Sequence, residues 1–104
     1  MRDSKRYILE TLKELKPFFL SKGVVLVALF GSFAKDEITP YSDIDIAIQK
    51  SPDLLEKEGV YGYFNLIEEI KEVLHQKFHR NIDIFDLDSN SPFKESIKEE
   101  MIVV

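Results

Sequence analysis

Between Val24 and Phe30 the chain is apolar without a break, and it stops abruptly at Gly31-Ser32. A short run of this kind, rich in Val and Leu and bounded by Gly23 and Gly31, predicts a buried strand. After a polar passage the pattern changes to alternation, Asp43-Ile44-Asp45-Ile46-Ala47-Ile48, which predicts a second strand over 44–49. With a side-chain period of two, Ile44, Ile46 and Ile48 point to one face and Asp43, Asp45, Ala47 and Gln49 to the other. The stretch 81–87, NIDIFDL, predicts a third strand, with Ile82 and Ile84 on one face and Asp83 and Phe85 on the other.

The remaining apolar positions have a helical period. Ile8, Leu12, Leu15 and Phe19 are spaced four, three and four, which is one helix face. Pro17 predicts a kink or restart there, and Gly23 a C-cap. From Tyr61 to Phe78 the stripe is Tyr63, Leu66, Ile67, Ile70, Val73, Leu74 and Phe78, and the intervening Glu68, Glu69, Lys71 and Glu72 form a solvated face. Residues 51–60, punctuated by Gly59, read as a polar connection. Pro92 starts a last short helix over 92–99, and 101–104 adds a short edge strand. This order predicts an α/β (α+β) sandwich over 1–104, with a small mixed sheet and helices on one face.

Composition narrows the class. Residues 1–104 are 44% hydrophobic and 32% charged with no cysteine, as in a globular protein of a reducing compartment. No apolar stretch reaches the length of a membrane span, and Met1 to Arg6 lead into an amphipathic segment without a signal core. A cytoplasmic location is the expectation. The net charge of −5 and the lack of any long Lys/Arg run argue against a free-standing enzyme of long nucleic acids. A small phosphorylated ligand stays compatible, because metal ions would supply the charge.

The candidate chemistry lies in the two Asp residues of the second strand. Asp43 and Asp45 lie side by side on one face, and their repulsion is tolerable with a cation between them. Oxygen-only ligands suit magnesium. His75 and His79 share a helix face at zinc-compatible spacing, but no third ligand accompanies them, so they read as surface residues.

Gly31-Ser32, ten intervening residues and Asp43-x-Asp45 together resemble the signature of the DNA polymerase β-type nucleotidyltransferase superfamily. The likeness is greatest to its minimal prokaryotic branch, and it includes Leu29 to Lys35 and the Ser42-Asp43-Ile44-Asp45 form. The resemblance implies the nucleotidyltransferase fold, with the active site on the sheet face opposite the helices. It implies Asp43, Asp45 and Asp83 as catalytic residues and ligands of two Mg2+ ions. It implies Gly31 and Ser32 as the nucleotide-binding pair and ATP as the substrate. Alternation supports Asp83 over Asp86 as the third carboxylate, since Asp83 must face away from Ile82 and Ile84. Lys35 can reach a phosphate, though a solvated lysine fits equally. One departure is Asp36, where the family usually has Gly; Asp can adopt a left-handed conformation, though less readily than Gly, and it brings a negative charge near the site.

The resemblance further implies an antitoxin role. Minimal nucleotidyltransferases are often paired with HEPN-domain toxins and adenylylate a tyrosine of that partner. Two other readings stand beside this one. The first is a binding module that neutralises its partner by contact with an idle metal site. The second is an enzyme acting on a small molecule or an RNA end.

Overall fold

A computed structural model describes residues 4–104. The reading of Met1 to Asp3 as part of a lead-in lies outside them. The elements are α1 Lys5–Glu14, α2 Lys16–Ser21, β1 Val24–Phe30, α3 Gly31–Ala34, β2 Ile44–Lys50, α4 Leu54–Phe78, β3 Ile82–Asp86, α5 Lys94–Glu100 and β4 Ile102–Val103.

The helices begin and end where the sequence supplies the chemistry. Ser4 caps α1, its hydroxyl accepting a hydrogen bond from the Tyr7 N–H at 3.0 Å. The helix ends before Pro17, which sits in the first turn of α2. Gly23 follows α2 with φ +81°, the left-handed conformation that lets the chain turn straight into β1. Ile8, Leu12 and Phe19 are buried, so the interrupted helix keeps one apolar face across the break.

The four strands form one sheet in the order β3-β2-β1-β4. The β1–β2 and β1–β4 pairs are antiparallel, and β2 and β3 are parallel. A parallel pair needs a crossover, and α4 supplies it. Ile44, Ile46 and Ile48 are fully buried under α1, α2 and α4 together with Leu66, Ile70, Leu74 and Phe78. This is the face assigned to them by alternation.

Two features differ from the sequence reading. Residues 54–60 are helical rather than a connection: α4 starts at Leu54, with a break at Gly59 (φ 72°, ψ 174°). Leu54 is buried and fixes this extra segment, whereas the two nearby glycines hid it from a propensity argument. The second feature is α5. The larger helices cover one face as expected, but Ile97 of α5 packs on the opposite face against Ala28, Ala47 and Leu87. Small side chains at 28 and 47 let a short helix approach the sheet there.

Asp86 belongs to the framework. Its Oδ2 accepts from Lys50 Nζ at 2.8 Å and from the Tyr63 hydroxyl at 2.5 Å. Burial alone would raise this carboxyl, but those hydrogen bonds outweigh it and hold the pKa below the usual carboxylate range. The same contact raises the Tyr63 phenol, through burial first and the Asp86 hydrogen bond second. We predict that Asp86→Ala lowers stability by ~1–3 kcal/mol, because it strands a half-buried lysine and tyrosine. Asp83→Ala should stay within about 0.5 kcal/mol of wild type or gain stability. Urea unfolding of the two variants checks the contrast.

Candidate active site

The register of β2 and β3 puts Asp45 directly opposite Asp83. Both project from the face away from the large helices, since their neighbours Ile44, Ile46 and Ile82 are buried on the other side. Asp45 is half-buried and Asp83 exposed. The Asp83 side chain lies within hydrogen-bonding reach of the Asp45 carboxyl. Burial first, then the Asp83 charge, push the Asp45 carboxyl up to about 6, with further repulsion from Asp43 and Glu100. Asp43 stands exposed just before β2 and contributes its charge to this cluster.

The loop before Asp43 is tied down locally. The Thr39 N–H donates to Ser42 Oγ at 2.9 Å, so Ser42 shapes the lead-in to β2. Arg80, at the end of α4, donates to the carbonyls of Thr39 (3.1 Å) and Ser42 (2.8 Å) and lies over the Phe33 ring. Sequence reasoning missed this arginine. Its partners are 38 and 41 residues away, and no spacing rule links them.

Gly31 joins the end of β1 to the one-turn helix α3. Its φ of +74° lies in the left-handed region, which favours glycine. A Cβ at position 31 would also overlap the Asp45 carboxylate. The glycine is therefore needed twice, for the turn and for the close approach of the loop to Asp45. Ser32 follows it, half-buried, at the start of α3. Asp36 does adopt the left-handed conformation, with φ +60°. Its charge is drawn toward α1 by an ion pair with Lys5 at 3.3 Å, which directs it away from the carboxylate cluster.

A fourth carboxylate enters from α5. Glu100 Oε1 accepts from the Gly31 N–H at 3.2 Å, and Glu100 Oε2 pairs with Lys35 Nζ at 3.1 Å. Its hydrogen bond and charge raise the Lys35 pKa. A cleft of about 430 Å3 opens beside these groups, between β3 and α5. It reaches from Asp83 and Lys35 to the rings of Phe30, Phe85 and the exposed Phe93. A larger hollow of about 760 Å3 lies at the other end of the sheet, around Gly23 and Ser51, away from the motif residues. His75 and His79 are both exposed, and His75 Nδ1 is bonded to the Arg80 carbonyl at 2.9 Å. Among the described residues, no three His, Asp or Glu side chains already stand at metal-binding distance from a common point. The Asp45–Asp83 pair nonetheless fits a hard divalent cation. Its donors are all oxygen, and burial together with the neighbouring carboxylates disfavours a bare charge on Asp45.

Residues 13–104 match the family described as polymerase beta, nucleotidyltransferase. The chain belongs to that family. Two proteins of Methanocaldococcus jannaschii, each named "Putative protein adenylyltransferase", are 32% and 29% identical to it. Both alignments cover 92% of this chain and 100% of the relative. Among solved structures, one described as a minimal nucleotidyltransferase superposes with a TM-score of 0.75 at 19% identity. That superposition covers 95% of this chain and 94% of the other. A toxin–antitoxin structure with AMP-PNP gives a TM-score of 0.57 at 22% identity, covering 95% of this chain and 70% of that one. The nucleotidyltransferase fold is thus shared, with a mixed four-stranded sheet and helices as in this family. Among the described residues no helix is long and apolar enough to cross a membrane.

The raised Asp45 pKa has a defined sign. A carboxyl with a folded pKa above its unfolded value of about 3.9 holds extra protons in the native state, so it favours folding at low pH. That contribution is lost as pH rises through about 6. Metal-free Asp45→Asn should therefore melt higher than wild type at pH 7.5, and the gap should close by pH 4. Magnesium should raise the wild-type melting temperature at pH 7.5 and do less for the variant. Calorimetric scans across this pH range check both. A variant that melts well below wild type at pH 7.5 contradicts the account.

Proposed function

We propose that this nucleotidyltransferase is magnesium-dependent and transfers AMP from ATP to an acceptor hydroxyl. The acceptor we favour is a tyrosine of a partner HEPN-domain toxin, which transfer would silence, giving the chain an antitoxin role. The observation that carries the reading is the pairing of Asp45 with Asp83 across parallel strands, one residue layer from the Gly31-Ser32 turn. The names of the Methanocaldococcus jannaschii relatives support protein adenylylation, and the toxin–antitoxin structures of the same fold support the partner class.

Asp43, Asp45 and Asp83 would hold two Mg2+ ions. The chemistry that magnesium supplies when bound there is neutralisation of the triphosphate and polarisation of the attacked phosphorus. The Gly31 amide and Ser32 hydroxyl bind phosphate oxygens, because glycine leaves the backbone open to close approach. Asp83 is exposed toward the cleft and orients the acceptor hydroxyl. The acceptor oxygen bonds to the α-phosphorus in line, the bond to the β-phosphate oxygen breaks, and pyrophosphate leaves. The acceptor proton passes to Asp83 or to water. Positioning and charge neutralisation account for the rate enhancement.

The test is incubation with α-labelled ATP, magnesium and the protein encoded by the neighbouring gene. Label should move to a tyrosine of that protein with wild type and be lost with Asp83→Asn, which keeps shape and removes charge. Binding of the partner by Asp83→Asn should be retained. Undiminished toxin neutralisation in cells by Asp83→Asn contradicts the enzymatic reading and favours neutralisation by contact.

A further inference from the structure

Glu100 occupies two donors that a phosphate at this turn could use. One of its oxygens takes the Gly31 N–H, and the other takes Lys35 Nζ. A single anion thus bridges the backbone turn and the cation one turn later, as a phosphate group with two free oxygens would. The place is an unfavourable one for a carboxylate on other grounds. Glu100 is the last residue of α5, next to Glu99, at the helix end where the dipole disfavours negative charge. It also adds to the repulsion felt by Asp45. Its side chain is 26% exposed, so burial does not hold it there; the loop donors do.

We propose that the Glu100 carboxylate is a resident stand-in for a nucleotide phosphate, which an incoming polyphosphate must displace. This rests on the proposed reading of Gly31 and Ser32 as the phosphate cradle, and adds Lys35 to it. Displacement needs no unfolding. Ile97, one turn earlier, stays packed on Ala28 and Ala47, while the Glu100 side chain swings away from the loop. Glu100 and Ile97 both line the cleft beside Asp83, so loading the cradle reshapes the wall of that cleft. The nucleotide then precedes the acceptor. Every phosphate-bearing ligand meets the same competition, so Glu100 sets the affinity of the site for phosphates and takes no part in catalysis.

The experiment is calorimetric titration of wild type and Glu100→Gln with inorganic triphosphate, ATP, AMP and adenosine, all with magnesium. The glutamine keeps an oxygen to accept the Gly31 N–H, so the fold is preserved, and a melting curve verifies this. Relief of the competition should tighten triphosphate, ATP and AMP alike, by about tenfold, with adenosine unchanged. Unchanged or weaker triphosphate binding by the variant overturns the stand-in while leaving the cradle intact. Absence of triphosphate binding in both proteins overturns the cradle reading itself, and the stand-in with it.

Discussion

The parallel register of β2 and β3 is the constraint on which the rest depends. It sets Asp45 opposite Asp83 at the edge of a dry sheet. The isoleucines that alternate with these residues are buried under α1, α2 and α4. Slipping either strand by one residue would bury the carboxylates and expose the isoleucines, so the core enforces the pairing. The hydrophobic core thus holds two like charges together that would separate in water. The surrounding structure accommodates the result. Gly31 lacks the Cβ that would strike Asp45, and Arg80 tethers the loop that delivers Asp43.

The carboxylates around the site differ in how far their charge is compensated. Asp86, three residues beyond Asp83, is neutralised by Lys50 and hydrogen-bonded to Tyr63. Asp36 is drawn to Lys5. Asp45 and Asp83 are left facing one another, and burial together with that facing charge raises the Asp45 pKa. A site with excess negative charge beside an amide donor and a lysine suits a ligand of metal ions and phosphates. The cleft beside it is open: Asp83 is exposed, and aromatic rings line the wall next to it.

The strands were legible because their patterns are unambiguous. Alternation at Ile44, Ile46 and Ile48 defined both faces of β2, and the same logic separated Asp83 from Asp86 in β3. Pro17 and Gly23 marked the break and the end of the first helical pair. The helical residues 54–60 were not legible, because Gly59 and Gly62 imitate a loop and the burial of Leu54 is a tertiary fact. Glu100 and Arg80 were hidden for a different reason. Each acts on a loop far away in sequence, 69 residues in one case and about 40 in the other. Local period and composition carry no information about such contacts. Gly31-Ser32 and Asp43-x-Asp45 stood out because they lie at strand ends at a spacing that resembles a known signature.

The central claim is that Asp45 and Asp83 hold divalent cations that join the protein to a triphosphate at Gly31-Ser32. The most direct measurement is a crystal structure grown with manganese and a non-hydrolysable ATP analogue, read by anomalous scattering. The account predicts manganese peaks between the Asp45 and Asp83 carboxylates, with the triphosphate against the Gly31 amide and Glu100 turned aside. A metal bound elsewhere, or a triphosphate seated away from Gly31, would contradict it.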